Sequence, residues 1–333
     1  MPKFNTTMYH MLRISSRGMP ENLFTELQLA LNLVLNGKIE YDFENQSKLN
    51  SDIHFEFNYE KSRGNLPGKH NVLILWEPKS FMPWQYTKEC LKLFQLVIPI
   101  SPWRAESLGL ENWILHPITL NINTKLCTNR DKTVVMINAA KFSANPKSLY
   151  GFRRKISRAL FKSDIDYDLL GVNWKMNKTK EIRERIWSCR KELHARKIPS
   201  LKEAFSDLFY RYPEYRGPVL DKIYTLSQYK YTLIIENEPD YVSEKLFDAI
   251  FAKTIPIDVG PNLDRFDFLS KVVYQCKPEI ESILKILYED NDEIYSEKMR
   301  VISELNDGDF KMFTTKYNCE KLAKITETYL SNR

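Results

Sequence analysis

The sequence predicts an α/β protein built from two domains, each with a mainly parallel sheet. Short apolar runs such as Asn71–Leu75 and Thr133–Ile137 are typical of buried strands. These runs alternate with stretches of helical periodicity, which favours parallel strands joined by helices. The length of 333 residues is enough for two domains of ordinary size.

The composition is that of a globular protein with modest positive charge. Hydrophobic residues make up 43% and charged residues 28% of the chain. A net charge of +6 suits anionic ligands or a negatively charged membrane surface, but is too small to indicate nucleic acid. No arginine-rich tract or zinc spacing supports nucleic-acid binding. The five cysteines are scattered and odd in number, which indicates a reducing compartment.

We expect a cytosolic protein. Whether it also contacts the inner face of a membrane peripherally is left open. The N-terminus lacks the apolar core of a signal peptide. No run approaches the roughly 20 apolar residues of a membrane span.

The first predicted domain covers residues 1–125 and alternates strands with helices. Glu77 stands out because it directly follows a buried strand, beside Trp76. A partly desolvated carboxylate on a rigid element suits a general base. The alternative is a turn or cap residue ahead of a helix. The predicted elements are a helix over Glu21–Asn36, strands near Ile39–Phe43, Ile53–Phe57 and Asn71–Leu75, a helix opening at Pro83, and a strand over Leu93–Ile100.

A polar linker at Asn121–Lys132 is predicted to lead into a second domain over residues 132–310. Its first helix is basic and contains Arg153 and Arg154, which fits either a phosphate site or a solvated face. A C-terminal segment, 311–333, is predicted to pack back on the first domain. The elements are strands over Thr133–Asn138, Tyr167–Val172 and Lys271–Gln275, and helices over Tyr150–Leu160, Lys178–Lys197 (core stripe Ile182, Ile186, Leu193), Leu220–Gln228, Glu279–Tyr288, Asp292–Leu305 and Cys319–Leu330.

The stretch Gln228–Pro261 is predicted to form a βαβ unit. Apolar runs at Tyr231–Ile235 and Thr254–Val259 are typical of buried strands. Between them, Ser243 is a favourable N-cap ahead of apolar residues at helical spacing. Open α/β sheets bind ligands where strands end and helices begin. Three polar residues occupy that position: Glu236, Asn237 and Glu238.

One lysine in this unit indicates an anion. Glu244, in the first helical turn, is favoured by the helix dipole, whereas Lys245 beside it is not. A lysine there is explained if a phosphate shares the helix N-terminus. The alternative is a solvated surface lysine.

Other phosphate and metal motifs are missing from the sequence. There is no P-loop, GxGxxG or GxSxG, so a phosphate site must use side chains and a helix terminus. The histidines lie far apart, which gives no support for a metal centre. Asp164-Ile-Asp166 and Asp307-Gly-Asp309 match the Asp-x-Asp pattern of metal-dependent sugar transferases, but their predicted positions, at a helix-to-strand junction and in a turn, do not favour a metal role.

The central stretch resembles the signature of the α-1,3/1,4-fucosyltransferases, glycosyltransferase family 10. The matching residues are Tyr229–Asn237, Pro239–Phe247, Ile255–Ile257 and Gly260-Pro261, with a shortened loop after Asn237. The resemblance implies a GT-B fold, in which two Rossmann-like domains face a central cleft. It also implies an inverting, metal-independent transfer of L-fucose from GDP-fucose to a sugar hydroxyl, with no cofactor.

By position, the resemblance assigns most of the matched residues to the donor. Glu244 would hold the ribose and Lys245 the diphosphate, while Asn237 and Tyr241 would line the nucleotide site. Glu236 belongs to the same donor-binding stretch.

The remaining assignments fall outside the central stretch. The arginine that binds the diphosphate in the family corresponds to Arg153, with Arg154 as the alternative. Glu77 corresponds to the acid/base carboxylate of the family's first domain. After Glu77 the sequence of the first domain differs from that of the animal enzymes. The identity of the acceptor is therefore left open among glycans and lipopolysaccharide-type molecules. The alternatives are a transferase that uses a different nucleotide sugar and a catalytically silent relative that binds nucleotide or glycan.

Overall fold

The computed structural model describes residues 11–35, 38–45, 50–60, 65–118, 125–205, 207–289 and 291–332. The chain forms two compact units. The N-terminal unit comprises Met1–Glu77, Trp84–Pro117 and Lys311–Arg333, and the C-terminal unit comprises Pro78–Pro83 and Ile118–Phe310. Part of the predicted linker, residues 121–124, lies outside the described residues.

The described secondary structure alternates strands and helices. The strands are β1 (Leu12–Arg17), β2 (Ile39–Asp42), β3 (Ser51–Phe57), β4 (Gly68–Leu75), β5 (Leu96–Pro99), β6 (Lys132–Ile137), β7 (Tyr167–Leu170), β8 (Tyr215–Gly217), β9 (Tyr229–Ile235), β10 (Ile255–Val259) and β11 (Tyr274–Gln275). The helices are α1 (Glu21–Val34), α2 (Lys88–Leu91), α3 (Pro102–Leu108), α4 (Tyr150–Lys162), α5 (Lys178–His194), α6 (Leu201–Phe205), α7 (Lys222–Leu226), α8 (Glu244–Phe251), α9 (Asp267–Val272), α10 (Ile280–Glu289), α11 (Asp292–Glu304) and α12 (Thr315–Ser331).

The N-terminal unit contains a five-stranded parallel sheet in the order β2-β1-β3-β4-β5. This is a doubly wound order whose direction reverses between β1 and β3. Helix α12 packs on α1, and the Asn318 side chain of α12 accepts a 2.7 Å hydrogen bond from the Leu115 amide. Strand β1 was not predicted, because Ser15 and Ser16 interrupt its apolar character, although both are buried.

A buried polar network joins β1 to β3 in this sheet. Ser15 Oγ lies 2.8 Å from His54 Nδ1, and His54 Nε2 lies 3.0 Å from Glu56 Oε2. The Arg17 guanidinium donates to the same carboxylate oxygen from 2.8 Å, through Nε. His54 and Glu56 are fully buried, so these contacts pair both ring nitrogens of His54 and one oxygen of Glu56 where water cannot reach them.

The C-terminal unit contains a six-stranded parallel sheet in the order β11-β10-β9-β6-β7-β8. Counted within the unit this is the Rossmann order, and its direction reverses between β6 and β9. Val134 of β6 pairs with Tyr231 of β9 at that point. The predicted α/β class with two parallel-sheet domains is therefore confirmed.

Two local predictions in the C-terminal unit were wrong. The expected strand Lys271–Gln275 is a helix, α9, up to Val272, and only Tyr274 and Gln275 belong to a strand, β11. The valines at 272 and 273 favour a strand intrinsically, but packing of Leu269 and Val272 into the core selects a helix. The three-residue strand β8 lies in a segment that was expected to be a loop.

The expected core stripe of α5 was also wrong. Ile182, Ile186 and Leu193 are exposed, and the buried side of the helix carries polar residues instead. Helical periodicity identified the apolar stripe of α5. It could not show which side of the helix packs inward, because the buried side is polar. The buried residues are Glu181, Arg185, Ser188 and Glu192.

Candidate functional site

The carboxyl ends of β6 and β9 gather polar residues at the point where the strand order reverses. Asn138 follows β6, and Glu236 and Asn237 follow β9. Asn138 is buried, and neither polar atom of its side chain has a hydrogen-bond partner among the described residues. Its backbone oxygen lies so close to Gly171 that a Cβ there would meet it at 2.1 Å. This edge is where doubly wound sheets bind ligands.

Arg153 reaches from α4 to the end of β9. Its Nε and Nη2 donate to the Ile235 carbonyl at 3.0 and 2.7 Å, and Nη2 donates to Asn237 Oδ1 at 2.8 Å. Burial lowers the pKa of its guanidinium, although arginine stays charged in proteins. Within the described part of the chain, no hydrogen bond involves its Nη1 group. The geometry therefore fixes a buried cation at the end of β9.

Arg154 has different surroundings. It is also buried, so the expectation of a solvated basic face fails for both arginines. Its Nη1 donates to the carbonyls of Lys141 and Tyr150, both at 3.1 Å, and its Nε lies 3.5 Å from Asp207 Oδ2. Arg154 thus ties together the loops beside α4, while Arg153 lies with the signature residues.

The N-terminus of α8 brings Glu236 and Lys245 together through Ser243. Glu236 Oε1 accepts hydrogen bonds from the Ser243 amide at 2.7 Å and from its hydroxyl at 2.9 Å. Lys245 Nζ donates to Ser243 Oγ at 2.8 Å and lies 3.7 Å from Glu236 Oε2. The lysine is therefore held at the start of the helix, where an anion is also favoured. The alternative of a fully solvated lysine does not hold, since its side chain is only 18% exposed.

Tyr241 and Glu244 flank this helix start. Tyr241 is buried, whereas the Glu244 side chain is 48% exposed. Lys222 of α7 lies 3.7 Å from Glu244 and forms a 2.5 Å ion pair with Asp248. Glu244 is consequently available at the surface, and Lys222 helps to orient it.

A second buried carboxylate, Asp258, lies next to Glu236 and was not predicted. A Cβ added to Gly260 would lie 2.7 Å from Asp258 Oδ2 and 3.3 Å from Glu236 Cγ, so both side chains pack beneath this glycine. Burial, and then the charge of Glu236, raise the pKa of Asp258 well above its usual range. The only sequence signal was a charged residue inside the apolar run Ile255–Val259.

The stability of the protein should depend on pH through Asp258. The native state holds a proton that the unfolded chain releases, so this contribution is fully present below the ordinary pKa of 3.8 and is lost as pH rises through the native pKa. We expect the free energy of unfolding to fall between about pH 5 and about pH 8, and to fall less in Asp258→Asn. Urea denaturation at both pH values measures this. Equal pH slopes for the two proteins would contradict it.

Glu77, the predicted general base, lies in the N-terminal unit directly after β4. Its side chain is half-buried, and its backbone carbonyl accepts a 2.6 Å hydrogen bond from the Tyr86 hydroxyl. The neighbouring Trp76 ring packs on Phe57 and His116, with centroid distances of 5.6 and 5.0 Å. Glu77 therefore sits on a rigid strand end.

The segment after Glu77, Pro78–Pro83, belongs to the C-terminal unit. The buried carboxylate of Glu238, which follows β9, accepts hydrogen bonds from the Lys79 amide at 3.3 Å and from the Ser80 amide. Ser143 Oγ donates to the Ser80 carbonyl at 3.1 Å. The loop that ends β9 thus holds this segment in place.

A cavity of about 210 Å³ lies in the C-terminal unit between the loop after β6 and helix α5. Phe81 forms part of its wall, with the ammonium groups of Lys141 and Lys191 at 5.2 and 4.2 Å from the ring centroid. Aromatic rings and lysines make the cavity suitable for a polar ligand with an apolar side. Its other lining residues are Ala140, Phe142, Tyr150, Asn173, Met176, Lys180, Glu184, Trp187 and Ser188.

Carboxylates of both Asp-x-Asp matches accept hydrogen bonds from within the protein. Asp164 accepts a 2.8 Å hydrogen bond from the Tyr288 hydroxyl, and Asp166 accepts one of 3.1 Å from the Thr133 amide. Asp309 accepts from the Asn306 amide within a turn. Among the described residues, no group of three or more histidines, cysteines and carboxylates could hold a metal ion. No described helix combines the length and apolar character needed to cross a membrane.

Solved glycosyltransferases share this architecture over nearly the whole chain. Anabaena HepE in complex with UDP and glucose aligns with 96% of the chain and all of its own length, at a TM-score of 0.54 and 10% identity. An α1,3-fucosyltransferase with GDP aligns with 100% of the chain and 94% of its own length, at a TM-score of 0.51 and 17% identity. The chain has the GT-B fold. A glycosyltransferase from Rickettsia africae shares this GT-B fold at a TM-score of 0.51, 11% identity and coverage of 95% and 83%.

Sequence comparison gives a shorter match. A fucosyltransferase-like protein of Arabidopsis thaliana is 43% identical over 54 residues, which are 15% of this chain and 10% of that protein. The chain thus aligns with about a tenth of that relative's length. No protein-family model matches this GT-B chain.

Proposed function

We propose that the protein is a glycosyltransferase that transfers a sugar from a nucleoside diphosphate sugar to a hydroxyl of a glycan. The observation that carries the proposal is the convergence of Arg153 and Lys245 on the carboxyl end of β9 and the start of α8, within the stretch that resembles family 10. Two cations and a helix N-terminus suit a diphosphate, whose charge grows as the sugar leaves.

The preferred donor is GDP-fucose, with inversion at the anomeric carbon. In this proposal Glu77 takes the proton of the acceptor hydroxyl, whose oxygen then bonds to the anomeric carbon. The bond between that carbon and the diphosphate oxygen breaks, and GDP leaves with the electron pair. Arg153 and Lys245 take up the charge that a metal ion would otherwise neutralise.

The remaining residues of the proposed site bind the nucleotide. Glu244 would accept hydrogen bonds from the ribose hydroxyls, since its carboxylate is exposed beside Lys222. Asn237 and Tyr241 would line the site, and Glu236 would orient Lys245 through Ser243. The N-terminal unit would carry the acceptor, a lipopolysaccharide-type or other glycan, with the reaction in the cytosol.

A UDP-sugar is the second candidate donor, because the GT-B neighbours include HepE with UDP as well as the fucosyltransferase with GDP, at similar TM-scores. Calorimetry with GDP, UDP, GDP-fucose, GDP-mannose and UDP-glucose separates the two. Binding of GDP and GDP-fucose supports the preferred donor, and turnover of GDP-fucose excludes a silent binding protein. Binding of UDP without GDP would overturn the choice.

Replacing Lys245 with alanine should weaken GDP binding by about 10- to 100-fold, because a hydrogen bond to a charged group contributes about 1.5–3 kcal/mol. The matched control is Lys277→Ala, an exposed lysine of the same unit. Calorimetry measures both affinities, and thermal unfolding checks that the variants fold. GDP affinity that is equal in wild type and Lys245→Ala would remove Lys245 from the site.

A further inference from the structure

Helix α5 buries its polar side against the rest of the C-terminal unit. Arg185 forms a 2.6 Å ion pair with Glu181 and donates to the Ala204 carbonyl, also at 2.6 Å. Its guanidinium lies 4.1 Å from the centroid of Phe142. Because Glu181 and Arg185 pair with each other, this polar side can pack inward without Ile182, Ile186 and Leu193.

An apolar part of the helix surface lies beside this buried side and faces solvent. Ile182, Ile186 and Leu193 are 39, 41 and 60% exposed. At about 100° per residue their spacing places them within roughly 40° of one another on the helix. They form a narrow apolar stripe.

Two arginines lie along one edge of this stripe. Arg183 and Arg190 are exposed, and no acidic partner of either is found in the described part of the chain. We call Ile182, Arg183, Ile186, Arg190 and Leu193 the outer face of α5. Just beyond the helix the apolar character continues along the chain in Ile198, which is 93% exposed.

We propose that the outer face of α5 docks the protein on an anionic lipid surface. Helices that lie in a membrane interface place aliphatic side chains in the acyl boundary and arginines among the headgroups. Both parts are present here: the stripe supplies the apolar contact, and Arg183 and Arg190 supply charge complementary to anionic headgroups. The net charge of +6 adds attraction over a longer range.

The charge of Arg183 and Arg190 also argues against a second copy of the chain binding to the outer face of α5. Two outer faces packed together would oppose four arginines without an acid between them, which is unfavourable. The lipid proposal is independent of the donor assignment, because α5 supplies none of the residues assigned to the nucleotide or to acid/base chemistry.

Co-sedimentation of the full chain with vesicles tests the proposal. One set of vesicles contains phosphatidylcholine alone and the other includes phosphatidylglycerol. We expect binding to the anionic vesicles, weakened about tenfold in Ile182→Ser/Leu193→Ser, since affinity scales with buried apolar area. Arg183→Glu/Arg190→Glu should lose binding as well.

Matched controls separate this face from general attraction. Leu29→Ser/Leu33→Ser removes exposed leucines from α1, and Lys92→Glu/Lys316→Glu changes the net charge as much as the arginine pair does. Both controls should bind nearly as wild type does. Binding lost equally in controls and outer-face variants, or no vesicle binding by wild type, would overturn the proposal. So would sedimentation velocity that shows a dimer broken by the outer-face variants.

Discussion

Replacing Glu77 with glutamine is expected to lower kcat by about 10²- to 10⁴-fold, the usual contribution of a general base. Glutamine keeps the size of the side chain but cannot accept the proton of the acceptor hydroxyl. Because the donor residues lie in the other unit, the affinity for GDP should stay unchanged. A coupled assay of GDP release with an accepting glycan measures kcat, and calorimetry measures GDP binding.

The pH dependence sharpens this test. In wild type, protonation of a general base lowers kcat toward acid pH, and that decline should disappear in Glu77→Gln. Glu111→Gln, at an exposed position of the same unit, is the matched control and should retain wild-type kcat. If Glu77→Gln turned over normally, another group would have to take the proton.

Replacing Glu56 with leucine should reduce the free energy of unfolding by about 3–5 kcal/mol, the cost of removing one partner of a buried ion pair. Glu56, a fully buried residue of β3, accepts a hydrogen bond from Arg17 Nε and lies 3.0 Å from His54 Nε2. The variant leaves buried His54 and half-buried Arg17 without this partner.

Urea denaturation measures this loss, with Glu60→Leu, an exposed site three residues past β3, as the control. Adding Arg17→Met to Glu56→Leu should recover part of the stability, because an apolar pair costs less than an unpaired charge. If the single and double variants were equally unstable, lost packing and not the unpaired arginine would be the cause.

The sequence predicted the central βαβ unit well because each of its elements obeys one strong local rule. β9 is rich in apolar and β-branched residues, and the Ser243 hydroxyl caps α8 by accepting a hydrogen bond from the Lys245 amide, as expected of an N-cap serine. The neighbourhood of Lys245 followed from the same local rules, since its Nζ reaches only two residues back. The proximity of Asp258 to Glu236 did not follow, because it depends on the register of β10 against β9.

Features that depend on contacts between distant segments could not be predicted from the sequence, for a similar reason. The side of α5 that packs inward was decided by Glu181 and Arg185, which pair with each other, and by the hydrogen bond that Arg185 donates to the Ala204 carbonyl. A residue pattern cannot show such a pairing partner from a different element. The choice between Arg153 and Arg154 likewise depends on where β9 ends in space, and consecutive helical residues point about 100° apart.

The assignment of Pro78–Pro83 to the C-terminal unit has a consequence for dissecting the protein. A gene fragment encoding residues 118–310 would keep Glu238 but omit the Lys79 and Ser80 amides that its buried carboxylate binds. The fragment would lose two hydrogen-bond donors to a buried carboxylate, which is costly. Conversely, a fragment ending near residue 117 would lack α12, the helix that covers α1. Segments of the two units therefore alternate along the chain. Point substitutions in the intact chain are the suitable way to assign a function to each unit.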